Sequence, residues 1–408
     1  VKSERVAIVG GCGHVGLPLG IVLAEAGYRT FLYDHNAALV NQVNSKVMPH
    51  LEEEAPQRLE RVISQERLIA TTDPSVLADC SIVFITIGTP VDEHFNPRVG
   101  DLLTAMHRLH PHLSAPGQLI IFRSTLAPGV LRSIAEQLKD LGCPAEIAYC
   151  PERIAQGKAL TEIKGFPQLI SGLSEQAIER CRQLFLELTE AEPIVLEPLE
   201  AELAKLFCNA WRYINFAISN QFYQIAEGAG VSFARIHDAA TNSYPRMKEF
   251  ARAGLTAGPC LLKDTMQLAA FCQNTFFLGH SAMLVNEGLP GFLVNQLLAR
   301  TEGSLRRKKV GLLGLAFKPD NDDTRESLSF KLRKLLLQQG AEVLCHDPFV
   351  NQKYFPHLEF AELDEILARC DGLVIGVPHS LYRQLQVPPH IPVVDVWDSL
   401  PRQETASR

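Results

Sequence analysis

No apolar run in the sequence approaches the ~20 residues needed to cross a bilayer, so no membrane partner is expected. Basic clusters are equally scarce. The run Arg306-Arg307-Lys308-Lys309 stands alone against a net charge of -7. That excludes non-specific nucleic-acid binding but leaves room for a pocket that takes one diphosphate. None of the ten cysteines belongs to a Cys-x-x-Cys pair. Scattered thiols of this kind argue against a zinc cluster or a disulfide frame, and they predict a reduced, cytoplasmic protein with no metal site. No secretory leader is expected, because Val1-Lys2-Ser3-Glu4-Arg5 leads straight into a strand pattern. Neither a low-complexity tract nor an internal repeat is legible. What remains is globular composition, 46% hydrophobic and 21% charged over 408 residues. At ~100–200 residues per domain, that length predicts two or three domains.

Two α/β stretches flank a helical one. Short apolar strands at Val6–Gly10, Thr30–Tyr33, Ser81–Ile87, Leu119–Phe122 and Glu146–Tyr149 alternate with helical segments. Such alternation predicts a parallel sheet with helices on both faces. Proline at 198 and glycine at 228 punctuate one long helical pattern. About 30 residues at ~1.5 Å each make a rod of ~45 Å, able to bridge domains or to pack against its copy in a dimer. After the basic run, strands are expected again at Val310–Leu315, Val343–His346, Gly372–Val377 and Val393–Val396.

The first strand runs into Gly11-Cys12-Gly13-His14-Val15-Gly16 and then an apolar helical pattern. Gly11 permits a tight turn, Gly13 lets the backbone approach a pyrophosphate, and Gly16 lets helix and strand pack closely. Free N–H groups and the positive dipole end at the helix start attract the anion. Asp34, ending the next strand 18 residues after Gly16, can bind a ribose 2′-hydroxyl and repels a 2′-phosphate. The expected cofactor is therefore NAD.

On the long helix, Lys205, Asn209 and Arg212 recur at i, i+4 and i+7 and share one face. A Lys and an Asn so placed can stabilise an oxyanion developing from an alcohol, although a solvated polar stripe has the same spacing. Further on, Gly258-Pro259-Cys260-Leu261-Leu262-Lys263-Asp264 takes a small-residue loop into a helix. A thiol at a helix start beside a cation has its thiolate favoured, and a thiolate adds to aldehydes.

Together with Cys150-Pro151-Glu152-Arg153 and the run from Gly314-Leu315-Ala316-Phe317-Lys318 to Thr324-Arg325-Glu326-Ser327, these motifs resemble the UDP-glucose/GDP-mannose dehydrogenase family over essentially the whole chain. The resemblance implies an α/β fold of two Rossmann-like parallel-sheet domains joined by a long central helix and a helical dimerisation domain. It implies NAD binding in 1–197, a central domain in 198–300, a UDP-sugar domain in 301–408, and a homodimer. The implied chemistry is a four-electron oxidation of a nucleotide sugar at C6, through a thiohemiacetal and a thioester on Cys260. By position, Glu152 is implied as the base for thioester hydrolysis and Thr125 as its water-positioning partner. Lys205 and Asn209 steady oxyanions, and Asp264 holds a water or the lysine. Arg153, Arg212, Arg246, Gly258, Phe317 and Lys318 are implied on the substrate. His14, Val15, Thr89, Ser124 and Arg325 join the cofactor set, with Arg325 directed at the phosphates.

The chain departs from the family at three places. Gly-Pro-Cys replaces the usual Gly-Gly-x-Cys or Gly-His-Cys, Gln156 stands where glucose-type relatives often carry an acid, and the loop around Arg246 and Arg252 differs in length, which leaves open whether either corresponds to the family arginine that reaches a partner's sugar. Segments 148–153 and 209–215 look like the N-acetylhexosamine branch, whereas Lys263 looks like the glucose and mannose branches. UDP-N-acetylhexosamine is the favoured substrate and UDP-glucose the next. Two rivals remain: a two-electron hydroxyacid-type dehydrogenase, and a non-catalytic nucleotide-binding protein.

Overall fold

The computed structural model describes residues 2–256 and 258–401. Eight strands form the first sheet: β1 (Arg5–Val9), β2 (Arg29–Tyr33), β3 (Leu68–Thr71), β4 (Ile82–Ile85), β5 (Leu119–Phe122), β6 (Glu146–Tyr149), β7 (Leu169–Gly172) and β8 (Ile194–Val195). Their order is β3-β2-β1-β4-β5-β6-β7-β8. Pairing is parallel up to β6; β7 then returns antiparallel to β6, with β8 parallel to β7. The sheet is thus parallel, as the alternation predicts, except at that one junction. β4 and β5 read Ile-Val-Phe-Ile and Leu-Ile-Ile-Phe and are buried throughout, because helices cover both faces of the sheet. Ile8, Phe84 and Ile121 enter one core, while Ala7, Val83 and Ile120, one residue out of phase, enter the other. The chain leaves β1 toward β2 on one side and resumes at β4 on the other, which opens a crevice at the carboxyl ends of β1 and β4.

The second sheet comprises β9 (Lys309–Leu313), β10 (Glu342–His346), β11 (Glu359–Phe360), β12 (Gly372–Ile375) and β13 (Val393–Val394). All neighbours are parallel, in the order β11-β10-β9-β12-β13. That order repeats β3-β2-β1-β4-β5 of the first sheet, so the chain does hold an architectural repeat. The resemblance implies two Rossmann-like domains, but no repeat is legible in the residues themselves, because residues 314–327 replace the short glycine turn before the helix Leu328–Gln338.

The long helix runs over Pro198–Gly228, with the proline at its start and the glycine at its end. Residues up to Cys208, with Ala270–Gln273, form one compact unit; Asn209–Ala269 and the residues from Asn274 onward form the other. Among the described residues, no helix is long and apolar enough to cross a membrane.

Candidate active site

In the first unit, the glycine turn is packed as the motif requires. A Cβ on Gly11 would stand 2.7 Å from the Leu32 Cα, and one on Gly16 would stand 2.6 Å from the Gly10 carbonyl oxygen. Neither position tolerates a side chain, so the helix Gly16–Glu25, with Val15 as its N-cap residue, starts directly over the strand. Gly10, just outside the motif, takes the left-handed turn at φ 75°. Asp34 is buried, and its two oxygens accept the Cys12 N–H at 3.2 Å and the Asn36 N–H at 3.0 Å. A carboxylate has roughly four acceptor sites, so capacity remains for a ribose diol. Burial and Asp34 push the Cys12 thiol up to about 12, which keeps a second negative charge out of the turn. A cradle closed to Cβ atoms, a helix start and an acid fit NAD.

Thr89 follows β4 and Thr125 follows β5, and the Thr89 hydroxyl donates to the Thr125 carbonyl at 2.6 Å. Ser124 lies beside them, its hydroxyl 3.4 Å from the Ile85 carbonyl. These three residues therefore gather at the carboxyl edge, as expected of that crevice. The His14 ring lies 4.2 Å from that of His50, and its Nδ1 is 2.6 Å from the Gln156 amide nitrogen. Gln156, singled out as a departure, thus joins the glycine turn to the loop after β6.

Glu152 heads that loop and is strongly engaged. One oxygen accepts the N–H groups of Arg153, at 2.7 Å, and Ile154, at 2.9 Å; the other is ion-paired with Arg123. Arg123 is 1% exposed, and it also donates to Gln168 at 2.9 Å. The Arg153 side chain turns to the Pro167 carbonyl. Sequence reasoning missed Arg123, whose only signal was its place in Arg123-Ser124-Thr125.

Lys205 is 8% exposed, and no hydrogen-bond or ion-pair partner meets its ammonium among the described residues. A buried cation in that state is receptive to an anion. One turn before it, Glu202 accepts the N–H groups of Gly129, at 2.6 Å, and Leu131, at 2.9 Å, capping the helix Val130–Asp140. Glu202 is a second residue that sequence reasoning missed.

In the second unit, the Asn209 amide donates to Asp264 at 2.5 Å, and Lys263 pairs with the other Asp264 oxygen at 2.6 Å. Asp264 is fully buried, so this pairing is what makes its charge tolerable. It lies in the first turn of the helix Leu261–Phe271, directly after the exposed Cys260. Ala257, in the same loop, lies outside the described residues. Gly258 takes φ 107° and a Cβ there would stand 2.7 Å from the Phe317 ring. Its N–H reaches the Glu326 carbonyl at 3.4 Å. Arg325 is bound by both Asp323 oxygens, at 2.6 to 3.0 Å. Hydrogen bonding to Asp323 first, then the charges of Asp323 and Cys260, hold its guanidinium above the ordinary value. Lys318 lies 6.0 Å over the Phe317 ring. Arg212 and Arg246 are exposed, while Arg252 is tied to Asp238 at 2.6 Å and Asp398 at 3.7 Å. Of the two arginines between which the sequence could not choose, Arg246 has no such tie among the described residues.

A glycine turn of this build, closed by Asp34, puts the protein among the NAD-dependent dehydrogenases. The chain belongs to the UDP-glucose/GDP-mannose dehydrogenase family: residues 4–189 match its NAD binding domain, 199–287 its central domain and 311–400 its UDP binding domain. An NAD domain and a UDP domain in one chain make it a nucleotide-sugar dehydrogenase. It is 28% identical over 389 residues to the UDP-N-acetyl-D-mannosamine dehydrogenase of Pyrococcus horikoshii, covering 93% of this chain and 91% of that one. A solved structure of UDP-D-ManNAc dehydrogenase from the same organism superposes with a TM-score of 0.90 at 26% identity, covering 98% and 97%. A UDP-glucose dehydrogenase from Pyrobaculum islandicum gives 0.89 at 27% identity, covering 98% and 95%.

Proposed function

We propose that the protein oxidises the C6 hydroxymethyl group of a UDP-N-acetylhexosamine to the uronate, with UDP-glucose as the second choice. The names of the P. horikoshii relative and its structure support the first sugar, and that of the P. islandicum structure the second. Two bound NAD molecules, one after the other, each accept a hydride, so one alcohol and one water yield one acid and two NADH. Cys260 adds to the intermediate aldehyde as a thiohemiacetal, and the thioester formed from it is released by water. The observation that carries this reading is the setting of Cys260: an exposed thiol at a helix start, followed one turn on by the buried Asp264, which Asn209 and Lys263 bind. Lys205 and Asn209 steady the oxyanions, and Glu152 with Thr125 directs water at the thioester. Arg153, Arg212, Arg246, Gly258, Phe317 and Lys318 bind the nucleotide sugar. The stretches 1–197, 198–300 and 301–408 act as the NAD, central and UDP-sugar parts of a cytoplasmic enzyme. A panel of UDP- and GDP-sugars, assayed for NADH per sugar, tests this. Two NADH per N-acetylhexosamine is expected; one NADH per sugar would support a two-electron dehydrogenase instead.

NAD is expected to be strongly preferred over NADP, because Asp34 repels a 2′-phosphate at the site of ribose binding. Repulsion of a few kcal/mol, at tenfold per ~1.4 kcal/mol, predicts a preference of about a hundredfold in kcat/KM. Equal use of the two cofactors would overturn the assignment of Asp34.

The assembly is a homodimer built on the helix Pro198–Gly228. Phe207, Trp211, Ile218, Phe222 and Ile225 recur at helical spacing along it, and each is exposed, Trp211 by 59% and Ile225 by 61%. Such a stripe on a single helix calls for cover by another copy. Sedimentation at micromolar concentration should give a dimer and the Trp211→Glu variant a monomer. A parent protein that sediments only as monomer would contradict this.

A further inference from the structure

In the second unit, the loop 314–327 carries Phe317, Lys318 and Arg325, yet no regular element holds it between β9 and the helix Leu328–Gln338. Asp320, at its outer turn, sits at φ 51°, a left-handed conformation that an L residue keeps only when its surroundings enforce it. The enforcing contacts come from the segment after β12. The Asp320 N–H donates to Nδ1 of His379 at 2.9 Å, and the Asp320 carboxylate accepts the Ser380 N–H at 2.8 Å and the Ser380 hydroxyl. An acceptor at Nδ1 places the ring proton on Nε2, which donates to Asp347 at 3.0 Å. His379 is fully buried. Asp347, directly after β10, also accepts the N–H groups of Leu315 at 2.6 Å and Ala316 at 3.0 Å, at the other end of the same loop. His379 therefore links the loop's outer turn to the acid that pins its root.

We propose that His379 is a positioning residue for nucleotide-sugar binding, holding the loop 314–327 in the form in which Phe317 and Lys318 meet the nucleotide. This rests on the reading of 301–408 as the UDP-sugar part. The histidine acts through the loop and touches no reacting atom. Its two nitrogens make separable demands. Asparagine can place an acceptor near Nδ1, and glutamine can place a donor near Nε2; alanine supplies neither.

Titration calorimetry with UDP alone measures the effect without any chemistry at Cys260. His379→Ala should weaken UDP binding about tenfold, the change that ~1.4 kcal/mol produces, and leave NAD binding within about twofold. His379→Asn should recover most of the loss and His379→Gln little of it, because the hold on Asp320 is the part that matters. In steady state, KM for the nucleotide sugar should rise more than kcat falls. Unchanged UDP affinity in His379→Ala, or better rescue by Gln than by Asn, would overturn the proposal. An equal loss of UDP and NAD binding in all three variants would overturn it too, since that marks general destabilisation. Failure of the unaltered protein to bind UDP would instead overturn the reading of 301–408 on which the proposal rests.

Discussion

The Cys260→Ser protein is expected to form uronate at least ~10³-fold more slowly than its parent, the scale of loss on removing a covalent nucleophile. A hydroxyl cannot replace the sulfur, because its pKa lies far above neutrality and neither a helix start nor one guanidinium can ionise it. The first hydride transfer, alcohol to aldehyde, makes no demand on the sulfur. The variant should therefore still generate NADH slowly, up to about one equivalent per sugar, with aldehyde or its hydrate as the product. Mass spectrometry of the products and NADH absorbance separate the two stages. Uronate formed at the parent rate would sink the covalent route.

Glu152→Gln is the second large effect, and the substitution suits the local geometry. The glutamine carbonyl can keep the Arg153 and Ile154 N–H groups bound, so the turn after β6 should persist. What is lost is the anion beside Arg123 and the capacity to take a proton from water. Both hydride steps should survive while thioester hydrolysis stops, giving a burst of about two NADH per active site and an acyl group on Cys260. Steady-state turnover should fall by ~10²–10⁴-fold, the range for loss of general base catalysis. Rapid-quench mass spectrometry detects the adduct. Full turnover in the variant would reduce Glu152 to a turn cap and an ion-pair partner of Arg123.

The dinucleotide turn was legible in the sequence because everything it needs is local. Its glycines, the helix start and the acid at the end of the next strand lie within thirty residues, and each has one physical reason to be there. The polar stripe of Lys205 and Asn209 was legible as a spacing, but its environment was not. Burial of Lys205 and the grip of Asp264 on Asn209 depend on which chain segments fold over the helix. The same holds for Arg123 with Glu152, and for Asn220, whose amide binds both the N–H and the carbonyl of Gly254 at 2.8 and 3.0 Å. Such pairs are made by tertiary approach and leave no periodic trace in the residues. The antiparallel return of β7 was hidden for a related reason: a buried strand has the same apolar composition in either direction.

The two sheets also record how differently one architectural position can be used. Asp34 and Asp347 each follow the second strand of a like-ordered sheet, yet among the described residues Asp34 accepts two main-chain N–H groups. Asp347 accepts four, from Leu315, Ala316, Phe349 and Val350, besides the His379 imidazole. The first acid faces outward in chemical terms and the second has been turned into internal scaffolding. An engineer who grafted a glycine-rich turn after β9 would therefore gain no second cofactor site, for the acid meant to receive the ribose already has every acceptor position filled.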